Sequence, residues 1–127
     1  MTKTLKLTRK IKGSPEEVYR AITNPFTIQL WTDEPAVMEE KEGTEFSILG
    51  GAISGKNISF IPGKQVKQLW FFGEDHPGSE VTINLEAEKN HTQMFVEQKD
   101  IPEDSFENIR QGWLDTYIKG LREFFEA

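Results

Sequence analysis

The sequence of 127 residues has no cysteine, only two histidines and no long apolar run. Without cysteine, the chain cannot form disulfides, a zinc site of the CxxC type or a cysteine nucleophile. No apolar run approaches the roughly 18–20 residues that span a membrane, and the first residues lack the apolar block of a signal peptide. We therefore expect one cytoplasmic domain, residues 1–127, whose single core holds most of the nine Phe, three Trp and two Tyr side chains.

Motifs for catalysis, metal binding and phosphate binding are also missing. His76 lies in a turn pattern and His91 starts a strand pattern, and neither belongs to an H-x-x-x-H pair. The glycines around Gly50 join two strand patterns and do not open a helix, so a bulged turn explains them better than a phosphate loop. The acids between Glu39 and Glu45 lack calcium-loop spacing. We predict no catalytic residue, no metal site and no cofactor.

The charge of the chain is unevenly distributed. The formal net charge is −6, from 15 basic and 21 acidic residues. Residues 1–12 carry five basic residues and no acid, which leaves −11 on the remainder. An acidic body disfavours nucleic acid as a partner, because phosphate neutralisation dominates that affinity. The basic stretch is best explained as a strand with a solvated face, and contact with an acidic partner surface stays open as the alternative.

The N-terminal part of the chain predicts a strand followed by two short helices. Alternation over residues 5–11 has the period of two of a half-buried strand, with Arg9 as the exception on the apolar face. The run Ser14-Pro15-Glu16-Glu17 has the pattern of a capping box at a helix start. Asn24-Pro25 repeats this arrangement before a second helix that ends near Trp31. A stop between the two helices predicts a V-shaped pair.

The middle of the chain predicts a meander of antiparallel strands. From residue 36 onward, apolar and polar residues alternate with a period of two, and turn signals rich in Gly, Pro or Asn separate the segments. Because short separators join antiparallel neighbours, each segment should pair with the next one. The predicted strands are Ala36–Met38, Glu45–Ile48, Ala52–Ile61, Gln65–Phe72, Val81–Ala87 and Thr92–Gln98.

The chain after Ile101-Pro102 predicts one long amphipathic helix. Its apolar stripe recurs at three- or four-residue steps and contains Phe106, Ile109, Trp113, Tyr117, Leu121 and Phe124. A helix of roughly 33 Å can cross a whole sheet. A one-sided antiparallel sheet and an amphipathic helix must each bury an apolar face. We therefore predict an α+β domain in which the sheet and the helix pack together.

Polar residues interrupt the strand faces that should contact this helix. If Trp70 faces the helix, Gln68 does so as well, and Gln98 shares the apolar face of the last strand. Glutamines beneath Trp70, Trp113 and Tyr117 could line a pocket with a few polar anchors. The alternative, which spacing alone favours, is a filled core in which the glutamines hydrogen-bond to the backbone or to each other.

A set of short segments, in order along nearly the whole chain, resembles a known family. The segments are Ser14–Tyr19, Trp31-Thr32, Phe46–Gly55, Ile61–Trp70, Val81–Leu85, Gln98–Pro102 and Gly112-Trp113. Together they resemble the family related to the C-terminal domain of the activator of the 90-kDa heat-shock protein ATPase, within the START-like (SRPBCC) superfamily. The resemblance implies a helix-grip fold, in which a curved antiparallel sheet of six or seven strands surrounds a long C-terminal helix and two short helices follow the first strand.

The resemblance also implies a function in binding. In that superfamily the space between sheet and helix is often a hydrophobic cavity for an apolar ligand, so we expect an apolar small molecule or lipid as the partner. The candidate lining residues are Trp31, Phe46, Gln68, Trp70, Gln98, Ile109, Trp113 and Tyr117.

Two other functions stay open. The first is a protein-interaction module of co-chaperone type in the stress response, because the family's activator acts on a chaperone. We expect 127 residues to leave no room for that activator's additional N-terminal domain, so this function ranks below ligand binding. The second is an enzyme of the cyclase or hydrolase kind, for which Tyr117 is the best inward acid–base candidate. We expect binding rather than catalysis.

Overall fold

The computed structural model describes residues 1–126, which contain one antiparallel sheet of six strands. The strands are β1 (Thr2–Ile11), β2 (Glu45–Ile48), β3 (Ile53–Ile61), β4 (Gln65–Trp70), β5 (Ser79–Glu88) and β6 (His91–Pro102). Their order in the sheet is β1-β6-β5-β4-β3-β2. The consecutive strands from β2 to β6 are therefore neighbours, which confirms the predicted meander, and β1 pairs with β6 at the edge of the sheet.

Two short helices follow β1, as predicted: α1 (Pro15–Thr23) and α2 (Pro25–Thr32). The capping box is present, because Glu17 N–H donates to Ser14 Oγ at 3.2 Å and Ser14 N–H donates to the Glu17 carboxylate at 2.9 Å. That bond from the Ser14 backbone lowers the pKa of the Glu17 carboxyl. Asn24 caps α2 by accepting the backbone N–H groups of Phe26 and Thr27. Local hydrogen bonding thus starts both helices where the sequence predicts.

The C-terminal helix consists of three connected segments. After a 3₁₀ turn (Glu103–Ser105) come α3 (Phe106–Gly112), a π-helical segment (Trp113–Tyr117) and α4 (Ile118–Glu126). The residues at the joints keep right-handed helical dihedrals, so the segments form one long helix. Within residues 1–126, no helix combines the length and the apolar character needed to cross a membrane.

The core lies between the inner face of the sheet and this helix. Burial alternates along β4, β5 and β6, which is the pattern of strands with one covered face. The helix contributes Trp113, Tyr117, Ile118 and Leu121 to the buried set. α1 and α2 close one end of the core, where Val18, Ala21, Ile22 and Ile28 are buried.

One predicted strand does not form. At Ala36–Met38, Val37 makes only an isolated antiparallel bridge with Ser47, in which each backbone N–H donates to the other residue's carbonyl at 2.8 and 2.9 Å. The next residue, Met38, is buried in the core and is not part of a ladder. At the other end of the sheet, β6 is longer than predicted and runs on to Pro102, where it pairs with Thr2.

The basic residues of β1 point mainly to solvent. Lys6 Nζ lies 3.6 Å from a Glu97 carboxylate oxygen, and Lys10 Nζ lies 3.4 Å from that of Glu88. Arg9 donates from its guanidinium to the backbone carbonyl of Thr8 at 2.8 Å. Acids on the neighbouring strands thus offset part of the positive charge.

Candidate functional site

A cleft of about 300 Å³ lies between the β2–β4 side of the sheet and the C-terminal helix. Trp70 and the residues after it form the sheet side together with the turn that joins β2 to β3, since Phe71 N–H donates to the Ser54 carbonyl at 2.9 Å. The C-terminal helix forms the other side. The lining residues are Leu49, Ala52, Ile53, Ser54, Trp70, Phe71, Phe72, Asn108, Ile109, Gly112, Trp113, Thr116 and Tyr117. None of these side chains is charged.

Two stacked indole rings form the inner wall of the cleft. The Trp70 and Trp113 ring centroids are 4.9 Å apart and the rings are inclined by 13°. Trp70 Nε1–H donates to Gln68 Oε1 at 3.0 Å, and Trp113 Nε1–H donates to Gln98 Oε1 at 2.7 Å. Each glutamine therefore fixes the orientation of one indole, because a buried N–H needs an acceptor.

The Gln68 amide continues into a polar chain across the core. Gln68 Nε2 donates to Asn57 Oδ1 at 3.0 Å, and Asn57 Nδ2 donates to Thr44 Oγ1 at 3.1 Å and to the Glu39 carbonyl at 3.2 Å. In contrast, Gln98 is fully buried and its Nε2 has no hydrogen-bond partner among residues 1–126. The alternative of a filled core with hydrogen-bonded glutamines thus fits Gln68, whose amide oxygen and nitrogen are both bonded. It fits Gln98 only in part, because only the amide oxygen is bonded.

Tyr117 connects the stacked indoles to α2. Its ring centroid lies 4.5 Å from that of Trp113 and 5.0 Å from that of Trp31. Trp31 is itself held in place, since its Nε1–H donates to the Ala21 carbonyl at 2.8 Å. Burial raises the pKa of the Tyr117 hydroxyl far above its usual value, and no hydrogen bond contributes to that shift. The hydroxyl is therefore neutral and protonated throughout the physiological range.

The helix side of the cleft contains two features that the predicted apolar stripe does not include. In the π-helical segment, Ile118 N–H donates to the Trp113 carbonyl, five residues earlier. Immediately before this segment, Gly112 lines the cleft, and a Cβ built there would meet no heavy atom within 4 Å. Isolated π-turns are frequent at functional sites, and the absent side chain leaves open space beside Trp113.

The rim formed by the β2–β3 turn has an unusual backbone. Leu49, Gly50 and Gly51 form a 3₁₀ turn with φ angles of 56°, 64° and 94°. The bulged turn predicted from the glycines is therefore wrong in type, because three consecutive left-handed residues reverse the chain without a bulge. A leucine rarely adopts such a φ. Here that conformation places Leu49 among the lining residues.

The predicted lining residues divide into two groups. Trp70, Ile109, Trp113 and Tyr117 line the cleft, whereas Trp31, Phe46, Gln68 and Gln98 are buried behind it. The lining residues that the sequence did not predict are Leu49, Ala52, Ile53 and Ser54 at the rim, Phe71 and Phe72 after β4, and Asn108, Gly112 and Thr116 on the helix. The Gly50-Gly51 pair and the single Gly112 in a helical pattern were the signals that could have indicated them.

Two wider grooves lie elsewhere on the surface. One, of about 900 Å³, runs over β1, β5 and β6 to the start of α1, and the other, of about 680 Å³, lies beside α1 and residues 38–41. Both are more open than the cleft, and charged residues such as Lys6, Lys64, Arg20 and Glu40 line them. Because small-molecule sites are concave and mostly apolar, the smaller cleft is the better candidate. Among residues 1–126, no cluster of His, Asp or Glu has the arrangement of a metal site.

An antiparallel sheet that packs around a long C-terminal helix, with two short helices after the first strand, defines the helix-grip class of START-like domains. The chain belongs to the family of activator of Hsp90 ATPase homolog 1-like proteins, whose family model matches residues 12–126. The family resemblance that the sequence segments indicate is thereby confirmed.

Named relatives and solved structures agree with this assignment. The human activator of 90 kDa heat shock protein ATPase homolog 1 is 34% identical in an alignment 126 residues long that covers 96% of this chain and 37% of that protein. The corresponding Dictyostelium discoideum protein is 32% identical over 98% of this chain and 33% of its own length. The chain thus spans little more than a third of the curated relatives it matches.

Two solved structures share the fold. The crystal structure of an HSP90 activator from Plasmodium falciparum superposes with a TM-score of 0.88 at 21% identity, covering 97% of this chain and 96% of that chain. The solution structure of the Aha1 dimer from Colwellia psychrerythraea gives a TM-score of 0.79, also at 21% identity, over 94% and 96% of the two chains. At this identity the likeness concerns the fold alone.

Proposed function

We propose that the cleft binds an apolar small molecule. The observation that carries the proposal is the open space at Gly112, where the lining of the cleft lacks a side chain beside a stacked tryptophan pair. A helix interior disfavours glycine by about 1 kcal/mol relative to alanine, so a glycine that only filled a helical position would be a disadvantage. A need for ligand space in the cleft would explain why position 112 is glycine.

The size and composition of the cleft support the same function. Ligand sites usually measure about 300–1,000 Å³ and have aromatic and aliphatic walls with a few polar groups. The cleft, at about 300 Å³, falls at the lower end of that range. Its polar side chains are Ser54, Asn108, Thr116 and Tyr117, and it includes no histidine or carboxylate. We therefore assign the cleft a role in binding and none in acid–base catalysis.

Filling the cleft should abolish binding without harming the fold. We expect Gly112→Leu to weaken binding of the uncharged dye Nile red by roughly 100-fold or more, because the leucine side chain would occupy the ligand's space. Fluorescence titration of the dye measures the change. Gln111→Leu adds the same side chain at the neighbouring exposed position, outside the cleft, and serves as the matched control. Equal binding by the two variants would contradict the proposal.

As a second candidate, we propose that the chain contacts a 90-kDa heat-shock protein. The observation that favours this function is the 34% identity over 96% of the chain to a human protein named as an activator of that ATPase. α2 offers a surface for such a contact, since Phe26 and Leu30 lie one helical turn apart and are 75% and 71% exposed. Adjacent exposed apolar residues are typical of protein interfaces.

Replacing this apolar pair should weaken a chaperone complex. We expect Phe26→Ser combined with Leu30→Ser to lower affinity for the chaperone at least ~10-fold, because anchor side chains each contribute about 1–3 kcal/mol when buried in an interface. The measurements are pull-down and chaperone ATPase rate with added chain. Ile58→Ser combined with Ile61→Ser changes two exposed apolar residues of β3 and is the control. No association of the unaltered chain at tens of micromolar would contradict this function.

A further inference from the structure

We propose that the Tyr117 hydroxyl is the hydrogen-bond donor of the cleft, and that it selects an uncharged ligand with an aromatic body and a carbonyl or ether oxygen. This inference rests on the proposed binding function and names the chemical class of the ligand. Three features of the site lead to it: the state of the Tyr117 hydroxyl, the absence of charge in the lining, and the aromatic walls.

The first feature is the hydroxyl of a largely buried tyrosine that lines the cleft. Tyr117 is only 4% exposed and lines the cleft. Its ring packs against Trp113 and Trp31, and burial is the sole cause of the raised pKa of its hydroxyl. Within residues 1–126, the enclosed side-chain polar atoms without a partner are Gln93 Oε1 and Gln98 Nε2, so the Tyr117 oxygen is not sealed in the core. The other tyrosine differs, since Tyr19 donates its hydroxyl proton to the Glu40 carboxylate. A hydroxyl that is not sealed in the core can donate to a molecule in the cleft, so a ligand oxygen there would complete the bonding of Tyr117.

The protonation of Tyr117 determines what it can recognise. Burial raises the pKa of the hydroxyl, so the group keeps its proton at neutral pH and remains a donor. A phenol donates more strongly than it accepts, and its natural partner is a carbonyl or ether oxygen. A ligand with such an oxygen near Tyr117 would gain a hydrogen bond that a pure hydrocarbon cannot form.

The second feature is the absence of charged side chains from the lining. A carboxylate or ammonium that enters an apolar cleft loses its hydration, and without an opposite charge the loss is costly. In the described part of the chain, no lysine, arginine, aspartate or glutamate lines the cleft. Fatty acids and other ionised ligands should therefore bind poorly, and neutral ligands should be preferred.

The third feature is the aromatic character of the walls. Trp70 and Trp113 form a stacked pair, and Phe71 and Phe72 continue the wall beyond β4. Gly112 leaves the surface beside Trp113 without a projecting side chain. A flat aromatic ring can approach such a surface and pack against the ring edges or faces, an arrangement that contributes about 0.5–1.5 kcal/mol beyond simple burial.

Three probes with the same aromatic body test the inference. The probes are 2-acetylnaphthalene, the hydrocarbon 2-ethylnaphthalene and the anion 2-naphthoate, and calorimetric titration measures their dissociation constants. We expect the ketone to bind roughly 3- to 10-fold more tightly than the hydrocarbon, as one hydrogen bond allows. We expect the carboxylate to bind at least ~10-fold more weakly than the ketone.

The matched variants are Tyr117→Phe and Tyr19→Phe. Tyr117→Phe removes the hydroxyl and keeps the ring, so the ketone should lose its advantage over the hydrocarbon, whose own affinity should stay unchanged. Tyr19→Phe removes the hydroxyl bonded to Glu40, outside the cleft, and should preserve the ketone's advantage. Thermal unfolding of both variants checks that the fold is intact.

The outcomes distinguish an error in the ligand class from an error in the proposed binding function. If the ketone keeps its advantage in Tyr117→Phe, or if 2-naphthoate binds as tightly as the ketone, the ligand class is wrong while binding in the cleft stands. If no probe binds the unaltered chain, or if Gly112→Leu leaves probe binding unchanged, the binding function itself is overturned.

Discussion

Replacing Trp113 by alanine should lower the free energy of unfolding by about 3–5 kcal/mol, the usual cost of removing a large buried aromatic side chain. The loss has three sources. Trp113 stacks on Trp70, packs against Tyr117 and donates its Nε1–H to Gln98 Oε1. Without the indole, Gln98 would have neither of its polar atoms bonded, because its Nε2 already lacks a partner. Urea denaturation followed by circular dichroism measures the change.

Trp113→Phe distinguishes the contribution of the aromatic ring to stability from that of the hydrogen bond. This variant keeps an aromatic ring near Trp70 and removes the N–H, so we expect it to be destabilised by about 1–3 kcal/mol, less than the alanine variant. A loss below ~1 kcal/mol for Trp113→Ala would show that the stacked pair contributes little to the core.

The sheet could be predicted almost entirely from alternation. β3 to β6 each have one buried and one solvated face, and that asymmetry gives a period of two. The ends of strands were less predictable, because backbone pairing continues past the last apolar residue, as in β6. Ala36–Met38 shows the converse, since apolar residues there contact the core and a partner strand without forming a ladder.

The candidate site could be predicted only on its helix side. The apolar stripe that includes Ile109, Trp113 and Tyr117 follows the helical period, so sequence patterns find those residues. Leu49 enters the lining through a turn with positive φ, which leaves no periodic signal. The π-helical segment depends on a wider turn that no spacing rule predicts, and it sets which residues of the helix face the sheet.

The second large effect on the free energy of unfolding is expected at Gly55, and Gly112 provides the contrast. Gly55 lies in β3 between Phe46 of β2 and Trp70 of β4. A Cβ at Gly55 would overlap the Leu69 backbone carbonyl and lie 2.9 Å from Phe46 Cε1. Because a strand backbone on one side and a buried ring on the other cannot both move away, we expect Gly55→Ala to cost about 3 kcal/mol or more in unfolding free energy.

Gly112→Ala makes the same chemical change where the space is open. Its Cβ would meet nothing within 4 Å, and alanine is favoured over glycine in a helix, so this variant should be more stable by about 0.5–1 kcal/mol. Denaturant midpoints of the two variants should therefore move in opposite directions from that of the unaltered chain. If Gly55→Ala unfolds at the same denaturant concentration as Gly112→Ala, the close approach of β2, β3 and β4 at Gly55 does not constrain the sheet. Of the two positions, only Gly112 would then need to be glycine. There the absence of a side chain leaves space for a ligand and lowers the stability of the helix.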